Sequence, residues 1–346
     1  MKFLISAAGT GGHVFPALEF SQECMRNNHR VIWFGTNSGI EKNLVRDHKI
    51  NFKTIPMSGF RGKGFLAKVI SVVGLAFSTV RMVSFLFRHK IDYVVCFGGY
   101  ISLPVGIAAI LTNKSLILHE QNSILGTSNK LLAKFAKIIF LGFPLSAGST
   151  KNTKIVGNPI RKITDLKNNS HNNKDVIKIY ITGGSLGSDF INKNIPVAIG
   201  SLKASIEVKH QSGIGKSEGI MALYSKDILV EVEEFYKCPQ EIILWADFVI
   251  SRAGALTLSE VISMNKGSLM IPFPSSIDNH QLLNAQMVEN NQMGIIHEES
   301  ESNELLCKRL RNIVDKKLFS QWQDFENEID HFQASQRMLS SILKIQ

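Results

Sequence analysis

The residues best suited to chemistry sit in glycine-rich turns. The first turn is Ala7-Ala8-Gly9-Thr10-Gly11-Gly12-His13, directly after the apolar run Phe3-Leu4-Ile5. Glycine lets backbone approach a ligand closely because no side chain intervenes. A helix-like pattern follows, and Pro16 is tolerable only in its first turn. A loop ending on a helix N-terminus favours an anion or an electron-rich oxygen. His13 stands at the mouth of that turn, and histidine as a residue type can accept a proton at neutral pH.

A second turn, Ile250-Ser251-Arg252-Ala253-Gly254-Ala255-Leu256-Thr257-Leu258-Ser259-Glu260, also reads strand, glycine, helix. Its helix N-terminus can stabilise negative charge without a metal, and the carboxylate of Glu260 can accept two vicinal hydroxyls. Further turns are Phe97-Gly98-Gly99-Tyr100, His119-Glu120-Gln121-Asn122 and Ile181-Thr182-Gly183-Gly184-Ser185-Leu186-Gly187. In a parallel sheet such turns gather at the carboxyl edge, where ligands bind. Together they point to a phosphate-containing ligand. His119 ends a buried strand and is expected to be structural.

Two look-alikes fail. Gly213-Ile214-Gly215-Lys216-Ser217 resembles the end of a P-loop, but the required first glycine is His210. The opening turn is no dinucleotide fingerprint either, because Val14 occupies the third glycine position. No Asp-x-Asp pair occurs, which disfavours a metal-clamped diphosphate, and no metal site or cofactor is expected.

These turns need elements to hold them. Strand-like runs recur at 31–34, 93–97, 116–118, 138–140, 177–181, 248–250 and 268–271, separated by helix-length segments. That rhythm predicts parallel sheets with helices on both faces. It restarts after residue 170, so the fold class is α/β, with two Rossmann-like doubly wound domains expected to face across a cleft. The domains are placed at 1–160 and 161–330, with a C-terminal amphipathic helix at 331–346 rejoining the first. The Asn-rich stretch 165–174 reads as an exposed loop near their junction.

Composition narrows the function class. The 346 residues carry a formal net charge of +10, unevenly spread. Residues 1–160 hold 19 Lys and Arg against 6 Asp and Glu, or +13; residues 161–346 hold 20 against 23, or −3. One half is therefore suited to an anionic surface. The segment 60–90 carries Arg61, Lys63, Lys68, Arg81 and Arg88 around an uncharged run of 12 residues, Val69 to Val80. That run is shorter than the ~20 residues a spanning helix needs. A helix apolar on nearly every face is usually buried. The alternative is contact with a membrane surface, and one helical hairpin could do both. Four scattered cysteines with no CxxC pair fit a reducing compartment. The first apolar run is too short for a secretory leader.

In order along the chain, Gly9–His13, Gly98–Tyr100, His119–Asn122, Gly157-Asn158-Pro159-Ile160-Arg161, Gly183–Ser185, Arg252–Glu260 and Asp278-Asn279-His280-Gln281 with Asn284-Ala285 resemble the MurG family. Its members are UDP-N-acetylglucosamine transferases of the two-domain GT-B type. The resemblance implies an inverting transfer of N-acetylglucosamine to lipid I, undecaprenyl-diphospho-MurNAc-pentapeptide, giving lipid II for peptidoglycan. It places the acceptor on the first domain, lined by Thr10, Gly11, Gly12 and Tyr100, with His13 as general base. It places UDP-N-acetylglucosamine mainly on the second. There Ser185, Arg161, Arg252 and the turn Gly254, Ala255, Leu256, Thr257 meet the nucleotide and its diphosphate. Glu260 holds the ribose, the region of Tyr236 meets uracil, and Gln281, His280 and Asn122 read the sugar. It further implies a peripheral site on the cytoplasmic face of an anionic inner membrane, and no nucleic-acid partner. The sequence departs from the family at Leu186, where Gln is common after Gly-Gly-Ser. It departs again at Phe235-Tyr236-Lys237-Cys238-Pro239, where Phe-Ile-Asp-Asp-Met is usual.

Other readings compete. Another GT-B enzyme, such as a UDP-sugar 2-epimerase or glycolipid transferase, would share the turns but not need the membrane segment. A nucleotide or nucleic-acid binder using the basic half would need aromatic residues among its basic ones or a recognisable module, and neither is present.

Overall fold

The computed structural model describes residues 1–37, 39–55, 65–148, 150–162, 176–325 and 328–345, with side chains of the helix that begins at Phe65 described from residue 72. The chain divides into two compact units: Met1–Arg161 with Ile329–Gln346, and Lys162–Glu328.

The first unit begins with β1 (Lys2–Ser6), α1 (Gly11–Arg26), β2 (Arg30–Gly35), α2 (Glu41–Asp47), β3 (Asn51–Thr54) and α3 (Phe65–His89). It continues with β4 (Tyr93–Cys96), α4 (Ser102–Leu111), β5 (Ser115–Glu120), α5 (Thr127–Leu132), β6 (Ile138–Leu141) and β7 (Thr153–Ile155). The strand order is β3-β2-β1-β4-β5-β6-β7. The described pairings are all parallel. Successive side chains in a strand point to opposite faces. Accordingly Phe3, Ile5, Trp33, Val95 and Ile117 join the core against α1, while Leu4, Ile32, Val94, Leu116 and Leu118 join the core against α3 and α4.

The second unit holds β8 (Val176–Thr182), α6 (Asp189–Ile199), β9 (Ser205–Gln211), β10 (Leu229–Glu233), α7 (Pro239–Trp245) and β11 (Phe248–Ser251). Then come α8 (Ala255–Ser263), β12 (Gly267–Met270), α9 (His280–Asn290), β13 (Gly294–Ile296), α10 (Asn303–Asp315) and α11 (Leu318–Gln323). Its strand order is β10-β9-β8-β11-β12-β13, again parallel. Both units are doubly wound, and both reverse strand order beside their first strand: β1/β4 in one, β8/β11 in the other. The chain then returns to the first unit as α12 (Ala334–Leu343), whose Met338, Leu339 and Ile342 enter the core beside Val14, Ala17 and Phe20 of α1.

Within the basic-apolar segment, Phe65–His89 form one continuous helix rather than a hairpin. Ser78, Thr79, Met82 and Leu86 are buried, whereas Val72, Val73, Phe77, Val80 and Phe87 are exposed together with Arg81 and Arg88. It is therefore not a core helix covered on all sides. Its window Val72–His89 is long and apolar enough to cross a bilayer by length and composition. Arg61, Lys63 and the loop 165–174 lie outside the described residues, as does the side chain of Lys68.

Four histidines are buried in these units, His297 of the second among them, and three of the four are strongly shifted. Of those three, His119 and His331 belong to the first unit and His210 to the second. Burial pushes His119 and His210 down to about 4 and His331 to about 3. Each is thus neutral when folded, while the unfolded chain protonates histidine near ~6.5. The stability from keeping them neutral is complete above that value and is lost as pH falls towards the folded values. Near pH 5 each of these three imidazoles should cost about 2 kcal/mol, and His297, also lowered by burial, adds to the second unit's loss, so both units should weaken on acidification. Hydrogen exchange in the two sheets, compared at about pH 7 and about pH 5, measures this; equal protection at both pH values would contradict it.

Candidate active site

In the first unit the turn after β1 is held from both sides. The indole of Trp33 donates to the Ala7 carbonyl at 3.1 Å. Gly9 adopts φ +100°, and Thr10 is extended (ψ 160°) as the N-cap of α1 without bonding its own helix through its side chain. His13 is half-buried on the first turn. The Gly98–Gly99 turn passes directly against its ring. A Cβ on Gly98 would lie 2.9 Å from the imidazole, and one on Gly99 would lie 2.8 Å from the Ala8 carbonyl oxygen. Both glycines have positive φ, +95° and +77°. Close approach and backbone conformation therefore each demand glycine there.

His13 Nδ1 lies 3.1 Å from Gln121 Oε1. Gln121 Nε2 lies 2.9 Å from the Phe97 carbonyl and 3.1 Å from His119 Nδ1, and His119 Nε2 lies 3.2 Å from the Gly157 carbonyl. The His119 ring also stacks on Phe97, centroids 5.2 Å apart. On the opposite face Glu120 is buried and organises the following loop. Its Oε1 accepts from the Asn122 backbone and side chain at 3.2 and 3.0 Å, and its Oε2 from Gly126 N and Asn129 Nδ2 at 2.8 and 2.9 Å.

Tyr100 turns towards β2, where it bonds the side chain of Thr36. Thr36 in turn donates through N and Oγ1 to the fully buried Glu41, at 2.8 and 2.6 Å. Arg161 is exposed at the end of the unit, and its charge reaches Glu19 of α1. Burial raises Glu19, opposed by Arg26 and Arg161.

In the second unit Gln211, at the end of β9, plays the bridging part. Its Nε2 donates to Thr182 Oγ1 at 3.1 Å and the Gly184 carbonyl at 3.2 Å, and its Oε1 accepts from Tyr236 N at 3.0 Å. The Gly183–Gly187 turn packs backbone to backbone on the next loop: a Cβ on Gly187 would meet the Ser212 carbonyl oxygen at 1.9 Å, and one on Gly213 the Gly187 nitrogen at 2.4 Å. That close approach explains the glycines that mimic a P-loop. No helix follows β9 there, and Lys216 pairs with Asp189 at 2.8 Å. Ser185 and Leu186 project from this turn, both exposed.

Gly254 is the N-cap of α8 in extended conformation, and Ala255, Leu256 and Thr257 form its first turn, Ala255 buried and the other two half-buried, with no capping side chain. Asn284 of α9 steadies that turn by donating to the Ala253 carbonyl at 3.2 Å. One turn further on, Glu260 accepts from Gln240 at 2.6 Å. Asp278 and Asn279 both adopt the left-handed region, φ 52° and 53°, which Asp and Asn tolerate better than most residues. They launch α9 with His280 and Gln281 in its first turn. His280 Nδ1 donates to the Ile277 carbonyl at 2.8 Å, and Gln281 Oε1 accepts from Phe273 N at 2.9 Å.

A model of the glycosyltransferase family 28 N-terminal domain matches residues 3–141, and one of the family 28 C-terminal domain matches residues 178–337. The chain belongs to glycosyltransferase family 28. The UDP-N-acetylglucosamine–N-acetylmuramyl-(pentapeptide) pyrophosphoryl-undecaprenol N-acetylglucosamine transferase of Psychrobacter cryohalolentis is 37% identical over 319 residues, 89% of this chain and 88% of that one. The enzyme of the same name from Neisseria meningitidis serogroup B is 34% identical over 322 residues, 90% and 88% of the two chains. Among solved structures, Acinetobacter baumannii MurG matches with a TM-score of 0.84 at 27% identity, covering 99% of both chains. A calicheamicin glycosyltransferase matches at a TM-score of 0.71 and 10% identity, which speaks for the GT-B fold alone.

Within family 28's frame, the structure gathers Thr10, Gly11, Gly12, His13, Tyr100 and Asn122 at the carboxyl edge of the first sheet. It gathers Ser185, Tyr236, Arg252, Gly254–Thr257, Glu260, His280 and Gln281 at that edge of the second. Arg161 stands apart, as the last residue of the first unit before residue 162. Several side chains already have partners within their unit. Arg252 pairs with Glu299 at 2.5 Å and lies over the Phe273 ring. The backbone N–H of Tyr236 is given to Gln211 and its hydroxyl to Glu231. The Asn122 amide nitrogen is given to Glu120.

Sequence reasoning missed Gln121, Gln211, Thr36 and Glu41. For Gln121 a signal existed: in a strand the side chains of His119 and Gln121 share one face and Glu120 the other. That alternation singles out Gln121, rather than Asn122, as the neighbour of whatever faces α1.

Gln211→Ala would leave the Tyr236 backbone N–H without its partner, worth about 1–3 kcal/mol when buried. It would also take one of two hydrogen bonds from each of Thr182 Oγ1 and the Gly184 carbonyl, which keep those from Gly184 N and Gly187 N. We expect the second unit to lose about 2–4 kcal/mol and the Tyr236 amide to exchange at least about tenfold faster. Tyr236→Phe, which removes an exposed hydroxyl contact, should change stability by less than about 0.5 kcal/mol. Urea unfolding and amide exchange separate the two variants, and equal effects would remove Gln211 from the bridging role.

Proposed function

We infer that the chain is an inverting glycosyltransferase that moves N-acetylglucosamine from UDP-N-acetylglucosamine to the C4 hydroxyl of MurNAc in lipid I, making lipid II. The reading is carried by one conjunction. A chain 37% identical to transferases of that name presents a histidine, backed by a glutamine, on the first turn of the helix after β1. His13 takes the proton of the acceptor hydroxyl. The hydroxyl oxygen attacks C1 of the sugar as the bond from C1 to the UDP oxygen breaks, which inverts that centre to a β-1,4 link. The leaving diphosphate gains negative charge, and the open N-terminus of α8 at Gly254–Thr257 is suited to stabilise it. Ser185, Arg161 and Arg252 assist at the nucleotide, Glu260 accepts from the ribose hydroxyls, and His280, Gln281 and Asn122 read the sugar. Thr10, Gly11, Gly12 and Tyr100 belong to the acceptor side. Tyr236 lies where uracil would be met, and its remaining backbone group for that purpose is its carbonyl. Among the described residues no group of His, Cys, Asp and Glu is arranged to hold a metal ion.

The exposed apolar face of α3, edged by Arg81 and Arg88 on a half of the chain with charge +13, suits peripheral contact with an anionic membrane. That would put the enzyme on the cytoplasmic face of the inner membrane, where its lipid-linked acceptor is.

The assay is direct. Radiolabelled UDP-N-acetylglucosamine and a short-chain lipid I analogue should yield a labelled disaccharide lipid without added metal. Epimerised UDP-sugar with no lipid product would replace this reading with the epimerase one. His13→Ala should lower turnover by roughly 10²–10⁴ while leaving UDP affinity unchanged; a large loss of UDP affinity would make His13 a binding residue instead. Replacing Phe77 with Asp together with charge reversal at Arg81 and Arg88 should weaken co-sedimentation with anionic vesicles. Undiminished sedimentation would withdraw the membrane role from α3.

A further inference from the structure

We propose that Gln121 and His119 are positioning residues that lock His13 in one neutral tautomer, with the proton on Nδ1 and the lone pair on Nε2. The proposal rests on the reading of His13 as the base.

The assignment follows from two atoms that can only accept. The Phe97 carbonyl takes a hydrogen bond from the Gln121 side chain at 2.9 Å, so the end facing it must be the NH₂ group. The other end, Oε1, therefore faces His13 Nδ1 at 3.1 Å, and that nitrogen must donate. The Gly157 carbonyl fixes the second histidine in the same way. His119 Nε2 must donate to it at 3.2 Å, so His119 Nδ1 carries a lone pair and accepts the second Gln121 N–H at 3.1 Å. Every donor in the chain finds an acceptor in one arrangement. Moving the His13 proton to Nε2 would set its Nδ1 lone pair against the lone pairs of Gln121 Oε1. Among the described residues Nε2 has no protein partner, and it is the nitrogen left to take the proton of a hydroxyl.

The network is anchored by the end of the chain. The Gln121 carbonyl accepts from Asn158 Nδ2 at 3.1 Å, and Asn158 N donates to His331 Nδ1 at 2.7 Å. The pair packs closely on glycine backbone: a Cβ on Gly142 would lie 2.0 Å from Asn158 Oδ1, and one on Gly157 would lie 3.1 Å from the His331 ring. Burial keeps His119 and His331 neutral, as this pattern of donors and acceptors requires.

The titratable groups on elements around His13 are His119 and Glu120 from β5, Tyr100 from the turn after β4, and on α1 itself Glu19, the buried Cys24 and the ion pair Glu23–Arg26. Glu120 spends both oxygens on Asn122, Gly126 and Asn129. Tyr100 bonds Thr36, and Glu19 faces Arg26 and Arg161. A carboxylate substituted at position 121 would thus be the group that changes the field at His13.

The test uses the full chain. In protein labelled with ¹⁵N-histidine, long-range proton–nitrogen correlation above about pH 8 reads each neutral tautomer directly. We expect His13 as Nδ1–H and His119 as Nε2–H; His13 found as Nε2–H overturns the proposal without any variant. Gln121→Leu should mix the His13 tautomers and lower kcat at least about fivefold, the worth of one ordinary hydrogen bond, with KM for UDP-N-acetylglucosamine little changed. Gln121→Glu restores an acceptor and adds negative charge. It should stabilise the imidazolium and move the acid limb of the kcat/KM profile to higher pH. A Gln121→Leu variant with full kcat, or an acid limb unmoved in Gln121→Glu, sinks the positioning role. His13→Ala distinguishes the two levels. If it keeps full turnover, the base assignment fails, while the tautomer result still stands.

Discussion

The imidazole of His13 sits where no Cβ can be placed opposite it, and much of the first unit follows from that approach. Gly98 and Gly99 must both be glycine, for space and for their positive φ. Their turn begins where β4 ends, so β4 has to lie beside β1, as the order β2-β1-β4-β5 provides. The next strand then delivers Gln121 at hydrogen-bond distance from the ring. The strand order reverses at this β1/β4 boundary, the place where doubly wound sheets leave room for ligands. The histidine is thus fixed by the topology before any of its own contacts are considered.

The second unit reaches a comparable arrangement with a different glutamine. Gln121 and Gln211 each stand at a strand's carboxyl end, and each uses both NH₂ protons and its carbonyl oxygen to join separate segments. An uncharged amide suits this position. It donates and accepts at once, and its burial lacks the desolvation cost of a carboxylate or ammonium. Among the charged groups near these edges, Arg252 is matched by Glu299 and Glu120 is saturated with hydrogen bonds.

Strands buried on both faces were readable in the sequence as largely apolar runs, because burial on both faces favours apolar side chains. Tyr93–Cys96, Ile138–Leu141 and Phe248–Ser251 are of this kind. Asn51–Thr54, Thr153–Ile155 and Leu229–Glu233 were not readable, and the sheet order gives the reason. β3, β7 and β10 are edge strands, exposed along part of their length, so Lys, Glu and Thr interrupt the apolar signal. Glycine turns at the site were legible because their constraint is local. Partnerships were not, since they depend on which strands become neighbours. Tyr100 meets Thr36 across the β1 turn, and nothing within either segment announces the other. α3 stays open between core and surface in the sequence for another reason: its composition suits both, and only the structure distinguishes its covered face from its exposed one.

The helix that carries His13 is supported by residues from the opposite end of the chain. Met338, Leu339 and Ile342 of α12 are buried in one core with Val14, Ala17 and Phe20 of α1. Full burial of a large apolar side chain contributes about 1.5–3 kcal/mol, and a domain's whole stability is about 5–15 kcal/mol. Three such side chains are therefore a substantial share of what holds α1 against its sheet. His331, just before that helix, makes a directional contact through Asn158 to the carbonyl of Gln121. The C-terminal segment acts on the candidate base in two physically distinct ways. Its apolar residues fix where α1 lies, and its one buried imidazole fixes the strand end that orients the His13 ring. The first is tolerant of side-chain shape, because burial has no direction. The second is not, because a hydrogen bond weakens steeply once its angle is lost.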